Sequence, residues 1–322
     1  MTTRILTIAA AVMLALAAPA AAQDWPQQTI RIIVAFGPGG GSDIVGRILA
    51  QAMQDRLGQS VVVENRPGAA GTLGNEMVAR ADKDGYTLGI MTAGQIIAAA
   101  MNKSMRYDTL TAFDPIAQVA SAGLIIVTRP DYPSKSVREL IAAAKAKPGK
   151  IVFASPGYGA TQHLAAELFK QTAGVDMLHV PFRTSPEAIS AVLGKQVDIL
   201  FDTVLAVLGQ VQSGQLKAIA VTGAARFPVV PDVPPAVESG VVPGYDVTTW
   251  YGFFAPRGTP PAVVTRLNSE INRILVEPDV KAKLLDAGAD VMPMPVDQFV
   301  IFVKSESEKF LQIIKDANLK PE

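Results

Sequence analysis

Short apolar runs alternate with helical stripes along most of the chain. Residues 29–36 form a nearly continuous, β-branched apolar run, which is typical of a strand covered on both faces. Residues 43–57 then place apolar side chains at helical spacing, and Gly58 follows the last of them. The same order of strand and helix is predicted for 60–64 with 73–80, 150–154 with 162–172, 177–182 with 186–193, and 198–201 with 203–211.

Further elements complete this pattern. Strands are predicted at 85–91, 216–221 and 250–255, and helices at 261–276 and from Asp297 onward. Strands that alternate with crossover helices predict parallel α/β sheets. The Pro- and Gly-rich stretch 226–244 interrupts the alternation and separates the last strand and the C-terminal helices from the rest.

The helix at 186–193 has the clearest predicted start. Ser185 is the predicted N-cap, Pro186 occupies the first helical position, and Glu187 follows in the first turn. A carboxylate in that turn is stabilised by the positive end of the helix.

The N-terminus has the pattern of a secretory signal peptide. A basic start ends at Arg4, residues 5–17 form an apolar run, and an Ala-Ala-Ala segment precedes Gln23. The run is too short to span a bilayer, which takes about 20 apolar residues. We therefore expect residues 1–22 to be removed on export and the mature protein to be periplasmic.

Composition excludes several kinds of chemistry. The 322 residues contain 29 basic and 29 acidic side chains, two His and no Cys. A balanced charge argues against a nucleic-acid-binding protein, and the absence of thiols excludes disulfides, thiolate metal sites and a cysteine nucleophile. Two histidines leave little for a metal site. We predict no cofactor, no metal and no nucleic-acid partner.

Glycine-rich turns follow three of the predicted strands, at 37–41, 68–71 and 157–159. In a parallel sheet these turns share one edge, and each precedes a helix whose N-terminal amides favour anions. The turns predict a site for a small anion bound by backbone amides, although each glycine alone could simply form a tight turn. Neither nucleotide pattern fits, because no Gly-Lys-Ser/Thr occurs and Ser42 stands where the third glycine of G-x-G-x-x-G is needed.

Five polar side chains near these turns allow two interpretations each. His163 is either a neutral donor facing the cleft or a locally satisfied helix-start residue, and for His179 we favour a structural role. Asp43 either complements its own helix dipole or reaches a ligand amine or water. Arg183 is the candidate cation for a second carboxylate, or a solvated surface residue. Asp202 either accepts a hydrogen bond from a ligand donor or caps the next helix.

Two other functional classes stay open from the residues alone. A secreted hydrolase could use Ser155 or Ser42 with His163, although the G-x-S-x-G elbow is missing. A ligand-binding sensor for a signalling partner would have the same sequence features as a transport receptor.

Several ordered motifs resemble one known family. They are Phe36-Gly-Pro-Gly-Gly-Gly-Ser-Asp43, Val63-Glu-Asn-Arg-Pro-Gly-Ala-Ala-Gly71, Asp84-Gly-Tyr-Thr-Leu88, Gln162-His-Leu-Ala-Ala-Glu-Leu-Phe169, His179-Val-Pro-Phe182 and Trp250-Tyr-Gly-Phe-Phe-Ala-Pro-Arg-Gly-Thr-Pro260. In this order and spacing the set resembles the Bug family, the periplasmic solute-binding receptors of tripartite tricarboxylate transporters. The resemblance covers essentially the whole mature chain.

The resemblance implies a type II periplasmic-binding-protein fold, with two α/β lobes joined by crossing hinge strands and the ligand cleft between them. On that basis residues 24–123 plus 247–322 form the first lobe and residues 124–246 the second. The expected ligand is a small organic carboxylate, the expected partners are the membrane permease subunits, and the receptor is expected to be a monomer with no catalytic residue.

The predicted ligand-binding residues lie on both walls of the cleft. Those of the first lobe are Phe36, Gly37, Gly39, Gly40, Gly41, Ser42, Asp43 and Thr92. Those of the second lobe are Ser155, Gly157, Tyr158, Gly159, Thr161, His163, Phe182, Arg183 and Thr184, to which the strand-end argument adds Asp202. One departure matters: the family often has Pro-Tyr-Lys-Gly where this chain has Pro181-Phe-Arg-Thr184, so a hydroxyl is lost and a bidentate guanidinium replaces an ammonium.

Overall fold

A computed structural model describes residues 25–101 and 105–316. The predicted signal peptide, residues 1–22, lies outside the described residues. Within those two ranges, no helix is long and apolar enough to cross a membrane.

The described chain contains ten strands and ten α-helices. The strands are β1 (Ile30–Val34), β2 (Val61–Asn65), β3 (Thr87–Thr92), β4 (Phe113–Thr128), β5 (Val152–Ser155), β6 (Leu178–Pro181), β7 (Ile199–Thr203), β8 (Lys217–Val221), β9 (Thr248–Pro256) and β10 (Ala289–Val291). The helices are α1 (Gly41–Leu57), α2 (Thr72–Ala79), α3 (Ala93–Met101), α4 (Val137–Ala146), α5 (Thr161–Ala173), α6 (Ser185–Leu193), α7 (Val204–Gln212), α8 (Pro261–Leu275), α9 (Pro278–Asp286) and α10 (Val296–Asp316).

The strands form one continuous, mixed array in the order β2-β1-β3-β9-β4-β7-β5-β6, and β8 and β10 also pair with β4. The prediction of parallel pairing is confirmed for β1 with β2 and β3, and for β5 with β6 and β7. It does not extend to the middle of the array, where β9 runs antiparallel to β3 and β4. Strand β9 lies far along the chain from β3 and β4, so no short crossover helix connects it to either of them.

The long strand β4 divides the array into two lobes. Up to Gly123 it pairs with β9, and from Leu124 onward it pairs with β7 and β8. The first lobe therefore holds β1, β2, β3, β9 and β10, and the second holds β5 to β8. The change of partner between these two residues supports the lobe boundaries that the sequence suggests, which we retain as a proposal.

Strand β1 shows why the first lobe is apolar on both faces of its sheet. Ile30, Ile32 and Val34 belong to one buried cluster, which also contains Leu49 of α1, whereas Ile33 belongs to a cluster on the other side. These four side chains are at most 1% exposed, whereas Arg31 of the same strand is half-buried. The prediction of a strand covered on both faces is confirmed, and the helices on either side hold its C-terminal end in a fixed position.

Two of the helix starts that differ from the prediction lie at the cleft. Helix α6 begins at Ser185, and the N-cap is Thr184, whose hydroxyl accepts a hydrogen bond from the amide of Glu187; the assignment of Ser185 as the cap was wrong by one residue. Helix α1 begins at Gly41, two residues before its first acidic side chain.

Candidate functional site

Five helices begin at the same space between the two lobes. The N-termini of α1 and α3 belong to the first lobe, and those of α5, α6 and α7 belong to the second. Thr184 and Thr203 cap α6 and α7 with their side chains, whereas the N-caps of α1 and α5, Gly40 and Ala160, provide no side-chain hydrogen bond. First-turn amides carry partial positive charge, so this arrangement favours a small anion.

The space itself, here called the inner cavity, has a volume of about 30 Å³. Nine of the predicted residues line it: Phe36, Gly37, Gly40, Gly41, Ser42, Thr92, Thr161, Arg183 and Thr184. The two walls predicted from separate parts of the sequence therefore meet at one place.

Six further residues of the lining were not predicted: Pro156, Gln162, Ser185, Thr203, Thr249 and Tyr251. Ser185 and Thr203 flank helix starts and could have been found from their position. Thr249 and Tyr251 lie on the crossing strand β9, far along the chain from any glycine turn, so only the topology brings them to the cleft. Tyr251 is 1% exposed.

The lining of the inner cavity has positive charge and no negative charge. The residues that line it include no Asp or Glu, and Arg183 is their one charged side chain. Most of the others offer a hydroxyl or a backbone amide. Such a surface can donate several hydrogen bonds to an anion, and it places no carboxylate directly against one.

A larger space, here called the outer groove, opens next to the inner cavity and has a volume of about 810 Å³. Of the predicted residues it is lined by Phe36, Gly157, Tyr158, Gly159, Phe182 and Arg183. The glycine turn at 68–71 and Thr72 form part of its first-lobe wall. The two spaces share Phe36, Pro156 and Arg183 as lining residues.

Asp43 lies behind the wall and not in it. Its carboxylate accepts hydrogen bonds from Arg47, from the amide of Gly39 and from Asn65, at 2.9–3.0 Å. Burial alone would raise the pKa of Asp43, but these hydrogen bonds outweigh it and lower the pKa overall. The side chain fixes the glycine turn to α1 and β2, so the interpretation as a direct ligand contact is not supported by its position.

The two histidines stack on each other, with ring centroids 4.3 Å apart. His163 is 4% exposed, and its Nδ1 accepts from the amide of Gly159 at 3.2 Å. Burial lowers the pKa of His163 to about 3 and that of His179 to about 4. His163 is thus neutral, as expected, but it lines neither the inner cavity nor the outer groove. It supports the glycine turn at 157–159, which lines the outer groove.

The Ser–His pair required by the hydrolase interpretation is different from the one expected. Ser155 Oγ lies 2.7 Å from Nε2 of His179, not of His163. Ser155 is 0% exposed, and His179 also stacks on Phe153, so the hydroxyl is enclosed within the second lobe. The favoured structural role of His179 agrees with these contacts.

Asp202 is wholly buried at the end of β7, directly behind the inner cavity. Its Oδ1 accepts from the amide of Thr203 at 2.7 Å and from Gln162 Nε2 at 3.4 Å. Burial raises its pKa from 3.8 to about 6, against the opposing effect of hydrogen bonds from Ser185, Thr203 and Gln162. Asp202 orients residues of the lining and does not itself line the cavity.

Glycines bring the two lobes into contact across the cleft. A Cβ at Gly37 would overlap Thr184 Cγ2, and a Cβ at Gly39, where φ is +81°, would lie 3.1 Å from Pro186 Cγ. Gly39 is therefore an interlobe contact and not a lining residue. Only a backbone without side chains allows the first-lobe turn to approach the start of α6 this closely.

Known proteins match the chain over most of its length. Residues 45–319 match the family model described as "Tripartite tricarboxylate transporter family receptor". The protein BugT of Bordetella pertussis is 34% identical over 307 residues, which are 95% of this chain and 94% of that protein.

Solved structures agree with this family match. The periplasmic binding protein BugD has a TM-score of 0.88 and 35% identity, covering 92% of this chain and 100% of that one. The R. palustris protein Rpa4515, solved with adipate, has a TM-score of 0.90 and 31% identity, covering 93% of this chain and 100% of that one. The two-lobe periplasmic-binding-protein fold is thereby confirmed. The chain belongs to the receptor family of the tripartite tricarboxylate transporters and is a solute-binding protein.

Proposed function

We propose that this receptor captures a small organic carboxylate between its lobes, with one carboxylate group in the inner cavity. The observation that carries the proposal is the lining: five helix N-termini, many hydroxyls, one Arg and no acidic side chain. An anion there accepts from donors that are already oriented by the fold.

Relatives support a carboxylate as the ligand, because the structurally similar Rpa4515 was solved with adipate. By the same family membership, we propose that the protein acts in the periplasm as a monomer and delivers its ligand to the membrane permease subunits. No bond is made or broken in this role. Export through removal of residues 1–22 predicts that protein isolated from the periplasm begins at Gln23, which N-terminal sequencing would test.

Ligand binding is coupled to closure of the two lobes. The ligand binds surfaces of both lobes, so it stabilises the closed arrangement only through contacts that the open one lacks. A ligand at a hundred times its dissociation constant raises the free energy of unfolding by about 2.7 kcal/mol. Thermal shift and calorimetry with mono-, di- and tricarboxylates and aromatic acids would measure this effect. If none of these acids gave a shift or a heat, the proposal would be wrong.

The substitution Gly41→Ala tests the position of the ligand. Its methyl group would overlap the Tyr251 hydroxyl and lie 3.1 Å from Thr203 Oγ1, so Tyr251 must shift and the wall of the inner cavity changes shape. We expect binding to be lost while the helix still forms, because Ala is a better helix former than Gly. The control is Gly209→Ala in α7, where an added Cβ meets nothing within 4 Å. Binding should be unchanged there, and equal affinities for both variants would contradict the assignment.

A further inference from the structure

A groove on the second lobe, here called the edge groove, lies apart from the cleft and has a volume of about 780 Å³. None of its lining residues lines the inner cavity or the outer groove. It follows the start of β8, which runs parallel to β7 because both strands are antiparallel to β4. Strand β7 reaches the inner cavity with its last residue, Thr203. The start of β8 therefore lies at the opposite end of the sheet.

Strand β8 is an edge of the sheet. It pairs with β4 on one side. On the other side, within the described residues, it forms an isolated bridge between Val221 and Pro235, and the amide of Val221 donates to the carbonyl of Pro234 at 3.0 Å. Pro234 has no amide with which to continue this pairing toward the start of β8. Residues 217–219 therefore present about 10 Å of open strand edge to the groove.

The surface beside this open edge is largely apolar. Val211, Leu216 and Val233 line it together with several prolines. A strand added to β8 would pair through its backbone and place alternate side chains on this surface. A free strand edge beside an apolar surface is the arrangement by which sheets bind extended peptides.

Three cations surround the open edge: Lys135, Arg138 and Lys217. None of them forms an ion pair in the part of the chain that the structure describes. Lys217 is half-buried, and burial and the nearby Lys135 lower its pKa, outweighing the opposite effect of Glu139. The positive charge at the edge is thus not neutralised by the protein itself.

Two acidic side chains also line the edge groove, Asp232 and Glu238. Glu238 is already paired with Arg226, at 2.7 Å. One carboxylate therefore remains against three cations, which favours an acidic partner. The same charges disfavour a second copy of this chain, because pairing two β8 edges would place the cations of one copy opposite those of the other.

We propose that the edge of β8 binds an extended acidic segment of a partner protein, which joins the sheet as an additional strand. Its backbone pairs with residues 217–219, its apolar side chains pack on Val211 and Val233, and its carboxylates pair with the three cations. This role goes beyond carboxylate capture. Because the edge groove belongs to one lobe and lies away from the cleft, the partner can hold the receptor in both its open and its closed arrangement.

Fluorescence anisotropy of the whole mature protein with labelled octapeptides tests this proposal. The probe is a peptide of alternating Glu and Val. One control peptide alternates Lys and Val, and two others are Glu–Val peptides with N-methyl groups on one or the other set of alternate residues, so that strand donors are lost and the charge is kept. The Glu–Val peptide should bind at least about tenfold more tightly than the Lys–Val peptide and than one of the N-methylated peptides. If it did not bind, or if N-methylation had no effect in either register, the proposal would be overturned.

The variant Lys135→Gln/Arg138→Gln/Lys217→Gln tests the charges of the edge groove. We expect it to bind the Glu–Val peptide at least about tenfold more weakly, because three charge pairs are lost. A second triple variant removes the same total charge from exposed positions of the same lobe outside the groove and should leave the affinity unchanged. Equal losses in both variants would show unspecific attraction and would overturn the proposal. The control substitutions are Lys145→Gln, Lys147→Gln and Lys150→Gln.

Hydrogen–deuterium exchange locates the bound peptide. Protection should appear in β8 and be absent from β6, which is the other edge strand of this lobe. Protection of the glycine turn at 37–41 instead would place the peptide in the cleft, which would refute binding at the edge. Sedimentation of the protein without peptide supplies a last check, because a dimer that the variant of the edge groove abolishes would mean that a second copy occupies the edge.

Discussion

At the scale of single residues, the structure separates groups that touch the cleft from groups that hold it in place. Gly39, Asp43, Ser155, His163 and Asp202 were predicted as ligand contacts, and none of the five lines the inner cavity or the outer groove. The sequence places them beside the turns but does not show which way a side chain points. Four of the side chains are turned toward neighbouring backbone or side-chain groups, and Gly39 contacts the facing lobe.

Asp202 gives a pH-dependent prediction at this scale. Its pKa rises from 3.8 to about 6 on folding because its carboxyl is buried, so the folded state binds its proton more tightly than the unfolded state does. Its contribution to stability is full below pH 4 and is lost as the pH rises through 6. Asp202→Asn removes this loss. At pH 7 we expect the free energy of unfolding of the variant, compared with that of the wild type, to be higher by up to about 3 kcal/mol than the same comparison gives at pH 4.

Urea unfolding of both proteins at pH 4 and pH 7 would measure this gain. The free-energy difference between variant and wild type should increase with pH, since Asn has no proton to lose. Asp232→Asn, on an exposed loop, removes the same charge and should give a difference that stays constant. A constant difference for Asp202→Asn as well would contradict the assignment of its pKa to burial.

At the scale of elements, apolar periodicity predicts the parallel parts of both lobes and misses what joins them. Strand β4 was not predicted, because Pro115, Ser121 and Gly123 interrupt its apolar pattern. The glycine turns were found because they precede helical stripes. Thr249 and Tyr251 could not be found in this way, because their place in the cleft depends on the pairing of β9 with β3 and β4.

The contact between the first glycine turn and the start of α6 predicts the effect of Gly37→Ala. A methyl group there would overlap Thr184 Cγ2, whose side chain is held in position because its hydroxyl caps α6. The lobes then cannot approach as closely. We expect the variant to fold normally and to bind its ligand at least about tenfold more weakly. This corresponds to about 1.4 kcal/mol of binding free energy, lost because the lobes close less completely.

Thr184→Ser provides the rescue for that variant. Serine keeps the capping hydroxyl and lacks Cγ2, so the double variant Gly37→Ala/Thr184→Ser should regain most of the affinity, and Thr184→Ser alone should change little. Calorimetry gives the affinities, and the radius of gyration from X-ray scattering reports closure. A double variant as weak as Gly37→Ala alone would show that this contact does not limit closure.

At the scale of the whole molecule, net charge cannot guide an anion to the cleft from a distance. The full chain carries no net formal charge, and removal of residues 1–22 would take away Arg4 and leave one acidic side chain in excess. Attraction must come from helix N-termini and Arg183, which act over a few ångströms. Surface charges beyond about 10 Å are screened at 0.1 M salt.

The association rate of a carboxylate should therefore depend little on ionic strength. Between 20 mM and 200 mM salt we expect a change of less than about threefold, because a chain whose charges balance has no net charge to attract an anion from a distance. Stopped-flow tryptophan fluorescence would measure the rate, and Arg183→Gln should weaken equilibrium affinity for a diacid without altering the salt dependence of association. A tenfold or greater fall in the association rate over this salt range would contradict the prediction. It would mean that the surface charges are distributed unevenly and steer the ligand, although positive and negative charges cancel over the whole chain.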